Sequence, residues 1–151
     1  MDAAMTARLL AIIDKNRIMT VATLRADGWP QATTVGYVNI GSTIYFLCGL
    51  DSQKAANITR DDRISVTIND DPDALMAITG LSMAAHAVRV TDLAEAGQVL
   101  AKMPDKYPPQ GDLPFEMPTP DQICLFRLAP VVISVLDYSQ GFGHTDLVSL
   151  I

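Results

Sequence analysis

Between residues 18 and 69 the chain keeps reversing direction, and that rhythm restricts what it can fold into. Apolar and β-branched runs occur at 18–24 (IMTVATL), 31–40 (QATTVGYVNI), 43–48 (TIYFLC) and 63–69 (RISVTIN). Each is short, rich in residues that suit a pleated surface, and bounded by turn-forming residues. Asp27-Gly28 in RADGWP is a hairpin signal, because tight two-residue turns need positive φ. Gly41-Ser42 marks the next reversal. Strands joined this tightly form a meander, and a meander with one apolar face tends to roll into a barrel. The spacing therefore predicts a mainly β fold with peripheral helices.

The helices are predicted at three places. Residues 2–16 carry Leu9, Leu10, Ile12 and Ile13 as an apolar stripe, with Arg8 and Lys15 outside it. Residues 52–59 form a short helix with Asp51 as the expected N-cap. Residues 92–103 form another, opened by an Asp92/Glu95 capping pair and stopped by Pro104. NDDPDA is a turn, and residues 75–90 read as strand material broken near Gly80. A long loop over 104–121 holds six of the nine prolines, and loops of that length serve function or wrap a partner. Strands 123–128 and 131–136 meet at a corner at Pro130. The expectation is one domain over 1–151, with an N-terminal helix 2–16 and a C-terminal arm 137–151.

The net charge is −6 and the pI about 4.6, with no basic run. Nucleic acid and anionic membrane are poor partners for such a surface. No segment nears the ~20 apolar residues of a membrane helix. No basic stretch precedes an apolar one at the N-terminus, so a cytoplasmic location is expected. Hydrophobic residues make up 49% of the chain and charged ones 19%. That excess reflects alanine content or an apolar subunit interface. Cys48 and Cys124 sit inside predicted strands without a CxxC pair and read as buried thiols. Two histidines and two scattered cysteines make no metal-ligand spacing, so no metal is expected.

Lys54 is the residue with chemical content. A cation in the first turn of a helix opposes the helix dipole. It makes sense where an anion docks, because free N–H groups of the helix start and one lysine together seat a phosphate. The alternative is a solvated helix start in which Asp51 pairs with Lys54.

The run GWPQATTVGYVNIGSTIYFLCGLDSQKAANITRDDRISVTI resembles the pyridoxamine 5′-phosphate oxidase-like proteins, the FMN-binding split barrels. The elements that carry the resemblance are Gly28 and Pro30, residues 33–37 and 45–48, Ser52 and Lys54, and Asp62-Arg63. The late LFRLAPVVISVLDYSQGFGHTDLV resembles the closing strands of the same family. The resemblance implies a six-stranded antiparallel split β-barrel and a homodimer with FMN sites at the subunit interface. It implies cofactor contacts from Thr33, Thr34, Val35, Gly36, Cys48, Ser52, Gln53 and Lys54, and from Phe142 and His144 toward the partner's flavin. Gly36 has two readings, a flat ring lying close to the backbone or a bulge that curves the barrel.

The vitamin-processing members of that family carry more positive charge around the phosphate. Their arginine and lysine of the first flavin strand correspond to Thr33 and Val38, and the arginine between their serine and lysine to Gln53. Arg60 or Arg63 is then left to assist Lys54, and FMN is expected to bind more weakly. Their closing Arg-x-His motif is missing, since no arginine follows Arg127. Pyridoxamine phosphate oxidase activity itself is therefore not expected.

His86 reads as a core or interface residue, and Trp29 as a turn residue packed under a loop or partner. The segment 107–115, with aromatic ends, is either a substrate-pocket wall or a dimer arm. Three functions fit. The first is an FMN-dependent oxidoreductase acting on a small molecule, with catalytic side chains unassigned. The second is a non-catalytic flavin carrier, store or stress-linked sensor. The third is a deazaflavin-dependent reductase, which the acidic charge disfavours.

Overall fold

A computed structural model describes residues 1–150, so the last residue of the predicted arm lies outside the described residues. It contains α1 (Ala3–Lys15), β1 (Ile18–Leu24), β2 (Pro30–Gly36), β3 (Val38–Ile40) and β4 (Thr43–Gly49). These are followed by α2 (Gln53–Arg60), β5 (Arg63–Asn69), β6 (Thr79–Arg89), α3 (Leu93–Lys106), β7 (Ile123–Asp137) and β8 (Thr145–Ser149). The strands form one antiparallel sheet in the order β2-β1-β5-β6-β7-β4-β3, with β8 also on β7. The sheet curls into a split barrel of eight strands rather than six.

The two extra strands come from local physics at positions the sequence leaves ambiguous. The predicted strand 31–40 divides at Tyr37, which is 1% exposed. Its hydroxyl bonds the Ile13 and Asn16 carbonyls at 2.7 and 2.9 Å, so the chain turns inward there and β3 starts afresh. The predicted arm similarly yields β8, paired along the second half of β7.

β7 absorbs both predicted late strands. Its first half pairs with β4 and its second with β8, while β6 follows it from Phe126 to Asp137. The register slips at Ala84/Ala85, opposite Pro130, where the missing N–H of proline needs no partner. Of the predicted strand material 75–90, Leu75–Ala77 is a 3-10 turn, and β6 begins at Thr79 and runs unbroken through Gly80. A Cβ there would lie 2.7 Å from the Ile68 carbonyl, so glycine permits the close approach of β5. Pro104 sits inside α3 instead of ending it. It lies on the exposed side, so the helical bond it forfeits faces water.

One cluster fills the barrel, from Leu9 and Ile13 of α1 to the stacked rings of Phe46 and Phe126, 5.4 Å apart. A second, smaller one (Val38, Tyr45, Val99) lies between α3 and the outer face of β3–β4. Glu95 makes no capping box. It takes Arg127 at 2.5 Å and the Tyr45 hydroxyl at 3.1 Å, tying α3 to β4 and β7. Trp29 packs under no loop of its own chain and is 72% exposed. His86 is exposed too, its Nδ1 2.9 Å from Asp62. Among the described residues no helix is long and apolar enough to cross a membrane.

Candidate functional site

α2 lies across one end of the barrel against β1 and β4. Ser52, not Asp51, is its N-cap, accepting from the Ala55 N–H at 3.1 Å. Ala55, Asn57 and Ile58 form the buried face. Asn57 is fully buried, and its amide donates to Thr23 Oγ1 at 3.0 Å and to Gln31 Oε1 at 3.2 Å. Gln53 donates to Asn57 Oδ1 at 2.8 Å. This network clamps α2 onto β1 and β2, so the helix start holds a fixed position beside the edge strand.

Lys54 precedes Asn57 and Ile58 by three and four positions, which puts it on the same side of the helix. It is half-buried, and among the described residues it forms no ion pair with Asp51 or any other carboxylate. On β2, alternation sends Gln31, Thr33 and Val35 inward and Ala32, Thr34 and Gly36 outward. Thr33 follows Gln31 on the inward face, and its Oγ1 is buried without a hydrogen-bond partner. A buried hydroxyl left unpaired costs about 1–3 kcal/mol. That orphan on the strand clamped to the start of α2 fits a polar ligand.

The two arginines considered as helpers are engaged. Arg63 grips Asp61 through two bonds of 2.9 and 2.7 Å, which holds that carboxyl down to about 2. Arg60 donates to the Leu24 carbonyl. Lys54 therefore remains the cation on this face of α2.

Of the two readings of Gly36, the bulge fails. The β1–β2 register is continuous, so no bulge exists there. Instead the Tyr107 hydroxyl of α3's C-cap occupies the space of a Cβ, 2.7 Å from where one would be. That hydroxyl accepts from the Tyr37 N–H at 2.7 Å and also contacts the carbonyls of Tyr37 and Arg17. Beside it a cavity of about 200 Å³ is lined by Gly36, Tyr45, Leu47, Met103, Tyr107 and Leu125 among others. Of the segment 107–115, then, Tyr107 forms a wall, while Phe115 is exposed.

Cys48 turns its side chain away from the surface. Its thiol faces the core beside Cys124, so only its backbone can meet a ligand. Phe142 and His144 lie beyond the far end of β7, away from α2. Phe142 is 79% exposed and meets Tyr138 edge-on at 5.7 Å. His144 Nε2 lies 3.3 Å from Asp146, which Arg8 holds at 2.8 Å. The Asn57 network thus ties Gln31 of β2 to Gln53 at the start of α2, and the two arm residues stand at the other end of β7.

Sequence reasoning missed Asn57, Gln31 and Thr23. The available signal was an asparagine on the apolar face of the short helix, four residues after Gln53.

A curled antiparallel sheet with a helix plugging one end and a cation at that helix start defines a split-barrel protein. A family model described as pyridoxamine 5′-phosphate oxidase matches residues 5–136, and the chain belongs to that family. Solved structures agree on the fold. A haem binding protein from Mycobacterium smegmatis is 20% identical with a TM-score of 0.74, covering 99% of this chain and 58% of its own. The chain thus spans little more than half the length of that protein. The conserved hypothetical protein Rv2991 from Mycobacterium tuberculosis is 23% identical with a TM-score of 0.75, covering 93% and 87%. HutZ, a haem storage protein from Vibrio cholerae, is 21% identical with a TM-score of 0.62, covering 80% and 85%. Among functionally curated proteins no sequence match is found.

Proposed function

We propose that this chain binds FMN and acts as a flavin-dependent oxidoreductase on a small molecule. The observation that carries the reading is the unpartnered pair of Thr33 Oγ1 and the Lys54 ammonium, one buried and one half-buried, on elements that Asn57 clamps together. Lys54 and the free N–H groups of α2 would hold the phosphate. Thr33 would donate its hydroxyl proton to a phosphate or ribityl oxygen, and the exposed backbone of Thr34 and Gly36 would border the ring. The apolar cavity opening at Gly36 and Leu47 offers room beside that strand for an uncharged substrate. When bound, a flavin supplies two-electron transfer; the chain's part is to orient it and exclude water.

A homodimer belongs to the same proposal. Phe142 and His144 reach a flavin only across a subunit boundary, since within one chain they stand at the other end of β7. Exposed Leu75, Met76, Phe142 and Leu147 supply apolar surface for that contact.

Haem is the competing occupant, because two structural neighbours are haem proteins. In its favour, His86 is exposed with Nδ1 against Asp62, an arrangement that orients the other ring nitrogen for a metal. The absorption spectrum of the purified protein, followed by titration with FMN and with haemin, separates the two. Flavin bands and saturable FMN binding are expected. A colourless protein that ignores FMN, or one with only a Soret band, overturns the flavin reading.

A further inference from the structure

Cys48 on β4 and Cys124 on β7 stand directly opposite each other. The Leu50 N–H bonds the Gln122 carbonyl at 2.8 Å, two residues away on both strands. The cysteines therefore occupy a hydrogen-bonded position, where opposed Cα atoms are about 5.5 Å apart. That separation falls within the roughly 4.4–6.8 Å that a disulfide spans. Both side chains lie on the inner face, 8% and 2% exposed, and both thiols are free.

The pair is not sealed off. Cys124 lines a cavity of about 510 Å³ beside α2, together with Leu50, Ser52, Arg60 and Arg89. Arg89 favours the Cys124 thiolate, whereas burial opposes it more strongly and holds the thiol above its usual range.

We propose that Cys48 and Cys124 form a two-electron redox pair, closed to a disulfide by a small hydroperoxide that reaches Cys124 through this cavity. The Cys124 sulfur attacks one peroxide oxygen and the O–O bond breaks. A sulfenic acid forms, and the other oxygen leaves as water or an alcohol with the thiol proton. Cys48 then attacks that sulfur, the S–O bond breaks, the S–S bond forms, and the hydroxyl leaves as water with the Cys48 thiol proton. Two thiols are oxidised and the peroxide bond is reduced. A small dithiol reverses the step by exchange. Closure would brace β4 against β7 at the root of the segment leading into α2.

The test uses the full chain treated with hydrogen peroxide, then denatured for thiol titration and intact mass under non-reducing conditions. Expected are loss of both thiols, a mass lower by two hydrogen atoms, a crosslinked peptide joining positions 48 and 124, and full recovery with dithiothreitol. The rate should climb with pH as the thiol ionises. In Cys48→Ser, dimedone should trap a sulfenic acid on Cys124. Retention of both thiols in peroxide-treated wild type, or oxidation only to sulfonic acid or to links between chains, overturns the proposal. None of these readouts depends on flavin binding.

Discussion

Two lysines near helix ends show how the same side chain takes opposite roles. Lys106 ends α3, where a cation suits the helix dipole. It donates to the Ile13 carbonyl at 2.8 Å and to Asn39 Oδ1 at 2.7 Å, and lies 4.1 Å from the Tyr37 ring centre. Its donors are spent on holding α3 against α1 and β3. Lys54 begins α2, where the dipole opposes it, and it makes no ion pair among the described residues. The Lys106 region is a finished structural joint, and the Lys54 region is an unfinished one. In the proposed function, that difference marks where the phosphate would sit.

The strongest way to break that contrast is Lys54→Ala. It should weaken FMN binding by about 1.5–3 kcal/mol, roughly 10- to 150-fold, the scale of a charge-assisted hydrogen bond. The apo protein's urea midpoint should stay put. Fluorescence titration decides, and unchanged affinity would remove the phosphate seat.

The finished joint can be tested through Gly36→Ala, whose Cβ would meet the Tyr107 hydroxyl. A loss of about 1–3 kcal/mol is expected from the overpacking. Tyr107→Phe alone should cost about 1 kcal/mol through its lost hydrogen bonds. The double variant should lose less than the sum, because the clashing oxygen is gone. Additive losses in urea unfolding would show that Tyr107 does not explain the glycine.

Thr33→Val should move two observables in opposite directions. Replacing an unpaired buried hydroxyl with a methyl should stabilise the apo protein by about 1 kcal/mol. FMN affinity should fall at the same time. A destabilised variant with intact binding would mean that the hydroxyl serves the fold.

The smallest effect is in pH dependence. Burial pushes the Lys106 ammonium down from 10.5 to about 8, with Asp14 opposing it. Between about pH 8 and 10 the unfolded chain then binds more protons than the folded one, so stability should rise with pH. Above about pH 10 unfolded tyrosines ionise first, because burial holds Tyr37 and Tyr107 up, and the slope should turn downward. Lys106→Met should flatten the rise. Urea midpoints at stepped pH check the sign.

The strand rhythm, the hairpin at Asp27-Gly28 and the helix before β5 were legible because they rest on local periodicity and turn chemistry. Lys54 was legible because its charge conflicts with the dipole of its own helix. Gly36 was visible as an anomaly whose cause was hidden, since Tyr107 lies 71 residues further along the chain. The exposure of Trp29 and His86 within one chain was hidden for a related reason, as neighbouring residues do not say which face of a hairpin or strand meets the core.

By itself, the sequence determined a β meander capped by short helices, its family likeness, and a lone cation at a helix start. Those are properties of neighbouring residues, and period and dipole suffice to read them. Only the tertiary structure decided that Cys48 opposes Cys124, that Asn57 clamps α2 to Gln31, and that Thr33 Oγ1 is left without a partner. Register, inward alternation and hydrogen-bond satisfaction depend on residues distant in sequence, and they exist only once the barrel closes.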